Sequence, residues 1–413
     1  MAVAVFPRRA ADRPSSPLRI LTAASICDGD DSAVSTINLE FARHGFEVVY
    51  LGSPCPACTI ARAAIQEDAH AVGISSFNGG HIVFFKEVVD RLRALGVRDI
   101  PVFGSSGGTI TKADERVMHR QGIDRILHAG TPLADIVALI RRDYGRTLKP
   151  NARLRGDRAL ARTISLSESE PHRPSSFTPN RRRASAARSF VVGVTGPGGA
   201  GKSTLIDELT WCFLQKNPRS RIAIIANDPS LPDAGGAILG DRGWMIYAQD
   251  DRVFFRSLAT RGSLTGLSAA APAAIEILRA SGEFDLILVE SVGIGQESDP
   301  FRLFGKQRRL VDAMLFVLAP YYGGHSQLQK IGLLNGAQFV ALNKCDHPMA
   351  QTARAEIASR LETNDKGQRL FGTVASTHHD PGVDKLYAAI AELGGLDCDA
   401  RGGEKPCQME VAG

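Results

Sequence analysis

Short apolar runs alternate with amphipathic stretches along most of this sequence, which is the pattern of strands and helices in turn. In the first third of the chain, the apolar runs predict five strands, at residues 19–24, 47–51, 71–75, 101–104 and 125–127. Apolar positions three and four apart predict five helices, at residues 32–43, 57–67, 82–94, 112–121 and 132–142. This alternation predicts an α/β fold with a parallel sheet in a flavodoxin-like strand order. Ligands of such sheets bind beyond the carboxyl ends of the strands.

A polar, basic segment separates this region from a second one. Residues 148–188 lose most apolar positions and gain Ser, Pro and the run Arg181-Arg182-Arg183. We interpret them as a solvated tether; binding of an acidic partner or of nucleic acid is the weaker alternative. The chain is then divided into a disordered leader, a front domain, this linker, a second domain and a tail, at residues 1–17, 18–147, 148–188, 189–395 and 396–413.

Composition and charge exclude several classes of protein. The 413 residues are 44% hydrophobic and 23% charged, and the net charge is only +5. Much of that charge lies in the linker, so we expect no nucleic-acid surface, and no apolar run is long enough for a membrane helix. Seven scattered cysteines form no disulfide framework, so a reducing, cytoplasmic setting is expected. The arginine-rich start allows a transit sequence as the alternative to a disordered leader.

A strand, a glycine-rich turn and a helix follow one another in the second region. Gly196 through Ser203 fit the pattern G-x-x-x-x-G-K-S/T directly after an apolar run. Such a turn points backbone N–H groups at phosphates, its Lys reaches the terminal phosphates, and its Ser hydroxyl ligates magnesium. A glycine-rich turn that merely ends in Lys-Ser is the weaker interpretation. The predicted phosphate-binding residues are Gly196, Gly198, Gly199, Ala200, Gly201, Lys202, Ser203 and Thr204.

Later in the same region, a tetrapeptide favours guanine. Apolar runs at residues 221–227, 286–290, 313–318 and 339–343 predict further strands, and N-K-x-D (Asn343, Lys344, Asp346) ends the last of them. An Asp carboxylate accepts hydrogen bonds from both N1–H and N2–H₂ of guanine, which adenine does not offer. The ligand is therefore expected to be GTP. Ala375 and Ser376 fit the additional loop whose backbone meets the guanine O6.

Acidic side chains end two of the strands near the phosphate loop. Asp228 and Glu290 occupy those places, and Asp241 lies between them in sequence. Carboxylates there are placed to hold magnesium or its waters, together with Ser203. A single acid would be better explained as a helix cap or salt bridge. Three acids placed around a phosphate loop favour a functional role for them instead.

The loops expected at the carboxyl edge of the front sheet contain small residues and thiols. Small residues let backbone approach a bulky flat ligand or a phosphate-bearing tail. The C-x-x-C of Cys55 and Cys58, with Cys27 nearby, can lower a thiol pKa or hold a metal, so a zinc or thiol-redox role is one hypothesis. Simple packing of inert thiols is the alternative.

These loops resemble the cobalamin-binding domain of adenosylcobalamin-dependent acyl-CoA mutases, especially of fused isobutyryl-CoA mutases. The resemblance implies a possible cobalamin site formed by Asp28, Asp30, Ser75, Gly79, Gly80, His81, Gly107 and Gly108. In that family the lower cobalt ligand is a histidine, and Asp30 stands in its place. A carboxylate is a poor substitute for imidazole on cobalt, so cobalamin binding stays open.

The second region resembles the G-protein chaperones of the same mutases, once described as arginine/ornithine transport kinases. The resemblance rests on the N-K-C-D tetrapeptide and on D-P-S, G-G-A-I-L-G-D-R, R-S-L-A-T-R and E-S-V-G-I-G-Q, which begin at residues 228, 235, 256 and 290. It implies catalytic roles for Lys202, Asp228 and Glu290, with Asp241 in a switch and Gly293 sensing the γ-phosphate. In the fused form a mutase barrel follows; this chain has no length for one, so mutase activity is not expected.

The sequence therefore predicts a magnesium-dependent GTPase that gates cofactor loading of, or protects, a separate mutase subunit. Two departures lie in the hydrolytic machinery: Gln296 is offset from the usual water-positioning place, and Gly243-Trp244 stand where the family tends to have a further basic residue. The offset glutamine predicts slow intrinsic hydrolysis that a partner boosts. The second departure lies in the switch and bears on coupling to that partner. The alternatives are a corrinoid- or metal-binding sensor with a signalling G-domain, and a P-loop small-molecule kinase. Self-association is left open.

Overall fold

Two parallel β-sheets with helices on their faces make up the protein. The computed structural model describes residues 17–25, 32–76, 79–106, 108–169, 189–232, 234–263, 265–293, 299–302, 309–322, 332–364 and 367–396. The strands are β1 (Arg19–Ala24), β2 (Glu47–Tyr50), β3 (Ala71–Ser76), β4 (Val102–Ser106), β5 (Arg125–Leu127), β6 (Phe190–Thr195), β7 (Ile222–Asp228), β8 (Ala237–Leu239), β9 (Val253–Ala259), β10 (Leu286–Glu290), β11 (Ala313–Leu318), β12 (Phe339–Leu342) and β13 (Arg369–Gly372).

Helices cover these strands. They are α1 (Ser32–Arg43), α2 (Ala57–Gln66), α3 (His81–Ala94), α4 (Lys112–Gln121), α5 (Leu133–Tyr144), α6 (Gly156–Ser169), α7 (Lys202–Lys216), α8 (Asp241–Trp244), α9 (Ala271–Ser281), α10 (Ala350–Asn364) and α11 (Pro381–Gly394). Three short 3₁₀ turns complete the described elements, at Tyr247–Gln249, Pro320–Tyr322 and Gly332–Gly336.

The front sheet confirms the α/β prediction. Its order is β5-β4-β3-β1-β2-β8, so the first five strands have the flavodoxin-like arrangement with β1 and β3 in the middle. Every predicted strand and helix of this domain occurs within a few residues of its expected place. The pattern was readable because the strands are largely buried on both faces and most of the helices keep one apolar stripe.

The sixth strand of the front sheet was not expected, because it comes from the second half of the chain. Strand β8 pairs in parallel with β2, with Glu47 opposite Ala237 and Val49 opposite Leu239. Gly236 precedes it, where an added Cβ would lie 2.1 Å from the Ala42 carbonyl oxygen. A glycine is therefore needed for β8 to reach the sheet. The two halves of the chain share a sheet and are not separate bodies on a tether.

The second sheet has the order β13-β12-β11-β6-β10-β7-β9, and its strand pairs are all parallel. Strand β6, which leads into the glycine-rich turn, lies in the centre between β10 and β11. The carboxyl ends of parallel strands meet at one edge, so the loops after β6, β7, β10 and β12 converge there.

The prediction of a solvated tether is wrong for its first half. Residues Gly156–Ser169 form α6, and Leu160, Ala161 and Ile164 are buried in the same core as α9 and β9. Residues 170–188, with the arginine run, lie outside the described residues. The apolar stripe of α6 was easy to miss because its buried face also carries Ser165 and Glu168. Polar residues at core positions are tolerated only when they have partners, which a sequence does not display.

Those partners form a buried charge cluster at the seam between the domains. It contains four arginines and three glutamates: Arg19, Arg242, Arg256, Arg261, Glu47, Glu67 and Glu168. All but Arg261 are at most 6% exposed. Arg19, Glu47 and Glu67 belong to the front domain, and the others come from α6 and the second domain.

Glu168 of α6 is the centre of this cluster. One of its carboxylate oxygens lies 2.6 Å from Arg256 Nη2, and the other lies 2.9 Å from Arg19 Nη2 and 2.8 Å from Arg261 Nη2. Burial by itself raises the pKa of Glu168, but the charges of Arg19, Arg256 and Arg261 outweigh it and lower the pKa to about 2. Glu168 is therefore ionised at all pH values at which the protein is handled.

Glu47 and Glu67 supply the other two carboxylates of the cluster, from the front-domain side. Glu47 lies 2.7 Å from both Arg19 Nη2 and Arg261 Nη2. Glu67 accepts hydrogen bonds from the backbone N–H and the hydroxyl of Ser257, at 3.1 and 3.0 Å. Charges withdrawn from water are costly unless each has a counter-charge and satisfied hydrogen bonds, so this cluster fixes the domains in one arrangement.

Glu168→Gln is expected to lower the free energy of unfolding by about 3–5 kcal/mol, because the buried Arg19 and Arg256 and the partly exposed Arg261 lose a shared counter-charge while the shape is kept. The midpoint of urea unfolding, followed by circular dichroism, measures the loss. Asp90→Asn is the control, since it removes an exposed ion pair with Lys86 within α3. It is expected to change stability by less than about 0.5 kcal/mol. Equal, small losses in both variants would contradict the role given to Glu168.

His70 is expected to make the protein less stable in mild acid. Its Nδ1 accepts a hydrogen bond from the Arg19 backbone N–H at 3.1 Å, and burial lowers its pKa from 6.5 to about 4. As the pH falls from 6.5 to 4, the unfolded chain takes up a proton that the folded protein refuses, so up to about 3 kcal/mol is lost. Unfolding free energies of His70→Gln between pH 7 and pH 4 should show a shallower loss. An unchanged slope would rule this contribution out.

Candidate nucleotide site

The glycine-rich turn lies between β6 and α7 at the carboxyl edge of the second sheet. Gly196 has a φ of 152°, and an added Cβ there would lie 2.1 Å from the Val317 carbonyl oxygen on β11. The turn must pass so close to β11 that only glycine fits. Gly199 and Gly201 adopt left-handed conformations, with φ of 74° and 87°. This backbone leads directly into the N-terminus of α7, where anions bind.

Lys202 and Ser203 occupy the first turn of α7. Lys202 Nζ donates to the carbonyl oxygens of Gly196 and Pro197 at 3.2 and 3.3 Å, so the side chain curls back over the turn. Burial lowers the pKa of Lys202. The Ser203 hydroxyl donates to Glu290 Oε1 at 2.9 Å, and the neighbouring Thr204 is exposed. A cation and a hydroxyl therefore stand side by side at the entrance of α7.

Three carboxylates, Glu290, Asp228 and Asp241, interact electrostatically beside this turn. Burial, with the charge of Asp241 next, raises the pKa of Glu290 to about 8, against the lowering effects of Lys202 and the Ser203 hydrogen bond. Burial, followed by the charges of Asp241 and Glu290, raises the pKa of Asp228 well above its usual range. Burial also raises the pKa of Asp241, which Lys202 partly offsets. The site holds more negative charge than it can neutralise.

Two carboxylate oxygens of this group, Asp228 Oδ2 and Glu290 Oε2, are buried and have no hydrogen-bond partner. Such atoms are rare in folded proteins and fit a site that is completed by a cation and its waters. Among the residues described, however, no three His, Cys, Asp or Glu side chains are grouped to hold a metal ion by themselves. That is the arrangement expected for magnesium, which keeps several waters and uses substrate phosphates as ligands.

Gly293 brings the loop after β10 against the phosphate loop. A Cβ added to Gly293 would lie 2.5 Å from the Gly198 backbone nitrogen and 2.9 Å from Lys202 Nζ. The two loops are therefore in direct contact where a terminal phosphate would be sensed. Gln296 lies outside the described residues.

The N-K-x-D residues divide into two groups. Asn343 Nδ2 donates to the Ala200 carbonyl at 3.0 Å, and its Oδ1 accepts from the Ala375 N–H at 3.0 Å. Lys344 Nζ donates to the Gly199 carbonyl at 2.8 Å. Both side chains thus tie the phosphate loop to the loops after β12 and β13. Asp346 is exposed beside them, as a base-reading carboxylate must be, and Ser376 is exposed as well.

Sequence reasoning missed the side chains that brace these loops. Tyr321 donates from its hydroxyl to the Gly199 carbonyl at 2.9 Å, and Thr373 donates to Asn343 Oδ1 at 3.1 Å. Asn227 Nδ2 donates to the Glu290 carbonyl at 2.8 Å. Each follows or ends a strand, so position at the carboxyl edge was the only available signal. None belongs to a recognisable motif.

The residues singled out in the front domain are only partly described. Ser75, Gly79, Gly80, His81 and Gly108 lie at or after the carboxyl ends of β3 and β4. His81 opens α3 with Nε2 3.6 Å from Asp114 Oδ2. Asp28, Asp30, Gly107 and Cys27 lie outside the described residues.

The interior of the front domain has polar atoms that no protein group satisfies. Thr22 Oγ1, Ser75 Oγ and both amide atoms of Asn38 are buried without a hydrogen-bond partner. Along β1 and β3, Thr22 and Ser75 alternate with Ala23 and Ile74, which pack under α2 and α3, so they face the α1 side where Asn38 lies. This polar group fits a ligand with hydrogen-bonding atoms that enters from the carboxyl edge.

The hypothesis of an activated thiol at C-x-x-C is wrong for Cys55. The thiol is buried, and burial together with the neighbouring Cys58 raises its pKa to about 12. A thiol of that kind is inert at neutral pH. Cys58 is free and exposed, and no metal-binding group of side chains includes either cysteine within the described part of the chain.

Fold and site together define a P-loop nucleotide-binding domain with guanine-type residues, joined to a front domain of the cobalamin-binding type. The sequence matches the family profile described as methylmalonyl-CoA mutase-associated GTPase MeaB over residues 160–398, and the profile of the B12 binding domain over residues 19–137. The first match covers more than half of the chain. The protein belongs to the MeaB family of mutase-associated GTPases.

Several longer proteins share both domains. The chain is 35% identical to the fused isobutyryl-CoA mutase of Cupriavidus metallidurans, over 95% of its own length and 37% of that protein. The corresponding figures for the fused isobutyryl-CoA mutase of Geobacillus kaustophilus are 33%, 92% and 37%. The chain thus spans little more than a third of these relatives. A protein of Pyrococcus abyssi named as a GTPase is 36% identical over 58% of this chain and 72% of its own length.

No helix among the described residues has the length and apolar character needed to cross a membrane.

Gly293→Ala is expected to weaken GTP and GDP binding about 5- to 100-fold, since relieving the overlap with Gly198 and Lys202 costs about 1–3 kcal/mol. Titration with a fluorescent guanine nucleotide measures the affinity. Far-UV circular dichroism matching the unsubstituted protein shows that the fold is kept. Unchanged affinity in a folded variant would mean that the loop after β10 moves freely away from the phosphate loop.

Proposed function

We propose that this protein is a magnesium-dependent GTPase that serves an adenosylcobalamin-dependent acyl-CoA mutase as its G-protein chaperone. The observation that carries the proposal is the geometry around Ser203. Its hydroxyl bonds to Glu290, beside Asp228 and Lys202, and both acids have a buried oxygen without a partner. Chemistry at this site is phosphoryl transfer from GTP to water.

The residues of the phosphate loop bind and orient the triphosphate. Backbone N–H groups of the turn and the N-terminus of α7 offer positive ends of dipoles, and Lys202 adds a full charge for the terminal phosphates. Ser203, Asp228 and Glu290 would hold magnesium, which neutralises charge on the phosphate oxygens when bound. Asp228 and Glu290 also orient the attacking water, and Gly293 offers its backbone N–H to the γ-phosphate.

Base selection belongs to Asp346 and the loop of Ala375 and Ser376. Asp346 is exposed beside the bracing Asn343 and Lys344, so its carboxylate is free to accept from N1–H and N2–H₂ of guanine. This arrangement supports GTP over ATP.

The mutase partner is proposed from the family and from the fused relatives. Each of those relatives is a single chain named as a mutase, and this chain corresponds to little more than a third of its length. A separate mutase subunit is the partner that fits, with GTP state setting when the cofactor is loaded or protected.

A cobalamin-type ligand in the front domain is the second part of the proposal. It is favoured by the unpartnered polar atoms of Thr22, Asn38 and Ser75 and by the match to the B12 binding domain. A polar ligand tail on the α1 side of the sheet would satisfy them. Asp30 in place of the histidine cobalt ligand implies that the protein does not supply that ligand as its relatives do.

Two substitutions test the nucleotide chemistry. Lys202→Ala is expected to lower GTP turnover about 100-fold or more, because the phosphates lose their side-chain cation. Asp346→Ala is expected to lower kcat/KM for GTP by about 100-fold while leaving ATP turnover unchanged, since only guanine loses hydrogen bonds. Phosphate release with magnesium and each nucleotide gives both numbers.

Glu362→Ala is the control for Asp346→Ala, because Glu362 is an exposed acid on α10. It is expected to leave both activities unchanged. Equal turnover of GTP and ATP by the unsubstituted protein would count against the assignment of Asp346. Phosphate transferred to a small molecule instead of water would establish the kinase alternative.

A further inference from the structure

The switch residue Asp241 is followed by an arginine that the front domain holds. Arg242 Nη2 donates to Gln66 Oε1 at 2.7 Å, and its Nη1 lies 3.4 Å from Glu67 Oε1. Nη1 also donates to the Phe255 carbonyl at 3.0 Å, and Arg242 is only 5% exposed. Gln66 ends α2 and Glu67 follows it, so this guanidinium is anchored mainly by the front domain.

The next residues of the same segment are anchored on the other side. The Ile246 and Tyr247 N–H groups each donate to Asp207 of α7 at 3.0 Å. The Gly240 N–H, beside Asp241, donates to the Asp228 carboxylate, and the charge of Asp241 acts on Lys202, Asp228 and Glu290. The segment from Asp241 to Tyr247 therefore spans the nucleotide site and the domain seam, with fixed points at Arg242 and at Ile246–Tyr247.

Glu67 is fixed in turn by the strand next to the nucleotide site. The N–H and hydroxyl of Ser257 on β9 both bind its carboxylate. Ser257 lies opposite Ala226 of β7, two residues before the acid Asp228. The front-domain carboxylate thus has buried contacts with β9, the neighbour of the strand that carries Asp228, and with Arg242, the neighbour of Asp241.

From this geometry we propose that Gln66 and Glu67 of the front domain are positioning residues for GTP hydrolysis, acting on Asp241 through Arg242. The inference rests on the proposed GTPase function. It makes the front domain part of the hydrolytic machinery: without Gln66 and Glu67, Arg242 would keep only its hydrogen bond to the Phe255 carbonyl, and Asp241 would be less firmly directed.

The charge cluster supplies a matched control for a purely structural effect. Glu47 and Glu67 are both 0% exposed, both belong to the front domain, and both neutralise arginines across the seam. Glu47 contacts Arg19 and Arg261 and has no contact with Arg242. Loss of either carboxylate should weaken the domain seam, but only loss of Glu67 should disturb Asp241.

The test compares Glu67→Gln and Gln66→Leu with Glu47→Gln in the full chain. Steady-state GTP hydrolysis is expected to show kcat about tenfold lower in the first two variants with KM within about twofold, since a misplaced switch residue affects the reacting geometry more than binding. Glu47→Gln is expected to keep kcat within about threefold, although its unfolding midpoint falls. If Glu67→Gln does not fold, the kcat of Gln66→Leu compared with that of Glu47→Gln tests the inference.

Trp244 provides a readout that does not depend on turnover. It is 84% exposed and two residues from Arg242, so its emission reports on this segment. In a Trp211→Phe background, magnesium and a non-hydrolysable GTP analogue are expected to change Trp244 fluorescence, and Gln66→Leu is expected to abolish that change. Glu47→Gln should retain it.

The outcomes separate this inference from the proposed function. If the unsubstituted chain shows no GTP hydrolysis that depends on Lys202, the proposed function fails and this inference fails with it. If that hydrolysis is present but Glu67→Gln, Gln66→Leu and Glu47→Gln lower kcat by the same factor, or not at all, only the inference is overturned.

Discussion

Buried arginines that need carboxylates are the constraint on which the structure depends. Arg242 and Arg256 come from the nucleotide-binding half of the chain. Two of the three carboxylates in their charge cluster come from the front domain. The third, Glu168, belongs to the helix between the halves. Because an unpaired buried charge is far more costly than a paired one, the two domains have a single favourable arrangement. The shared strand β8 follows from that arrangement.

At the nucleotide site, burial and neighbouring charges also decide the carboxylate pKa values, but there the pKa values rise instead of falling. At the seam, burial of Glu168 is outweighed by three arginines, and its pKa falls. At the site, burial and then the charge of Asp241 raise the pKa values of Asp228 and Glu290, and Lys202 offsets only part of the rise at Glu290. Each carboxylate of the first cluster has arginine partners within the protein. The carboxylates of the nucleotide site have too few positive charges around them within the protein, and a bound ligand would supply the rest. This is how a binding site differs from a structural salt bridge.

The candidate site was largely predictable because phosphate binding imposes a local pattern. Gly196 through Ser203 are contiguous, and the close approach of the turn to Val317 admits only glycine at its first position. Asp346 and Glu290 were recognisable from their places at strand ends. The bracing hydrogen bonds of Tyr321 and Thr373 were not, because they join residues far apart in sequence and use ordinary side chains. The inertness of Cys55 was also hidden, since burial decides its pKa.

By itself, the sequence determined the strands and helices of the front domain, the phosphate loop and the guanine-type tetrapeptide, because each is written in neighbouring residues. Only the tertiary structure decided that Gly156–Ser169 is a buried helix and that β8 joins the front sheet. It also decided that Arg242 points into the other domain. The physical reason is that a charged residue in a sequence predicts a surface position, because the sequence does not show the partner that would allow its burial. Here Arg242 is 176 residues from its partner Gln66, and Arg256 is 88 residues from its partner Glu168.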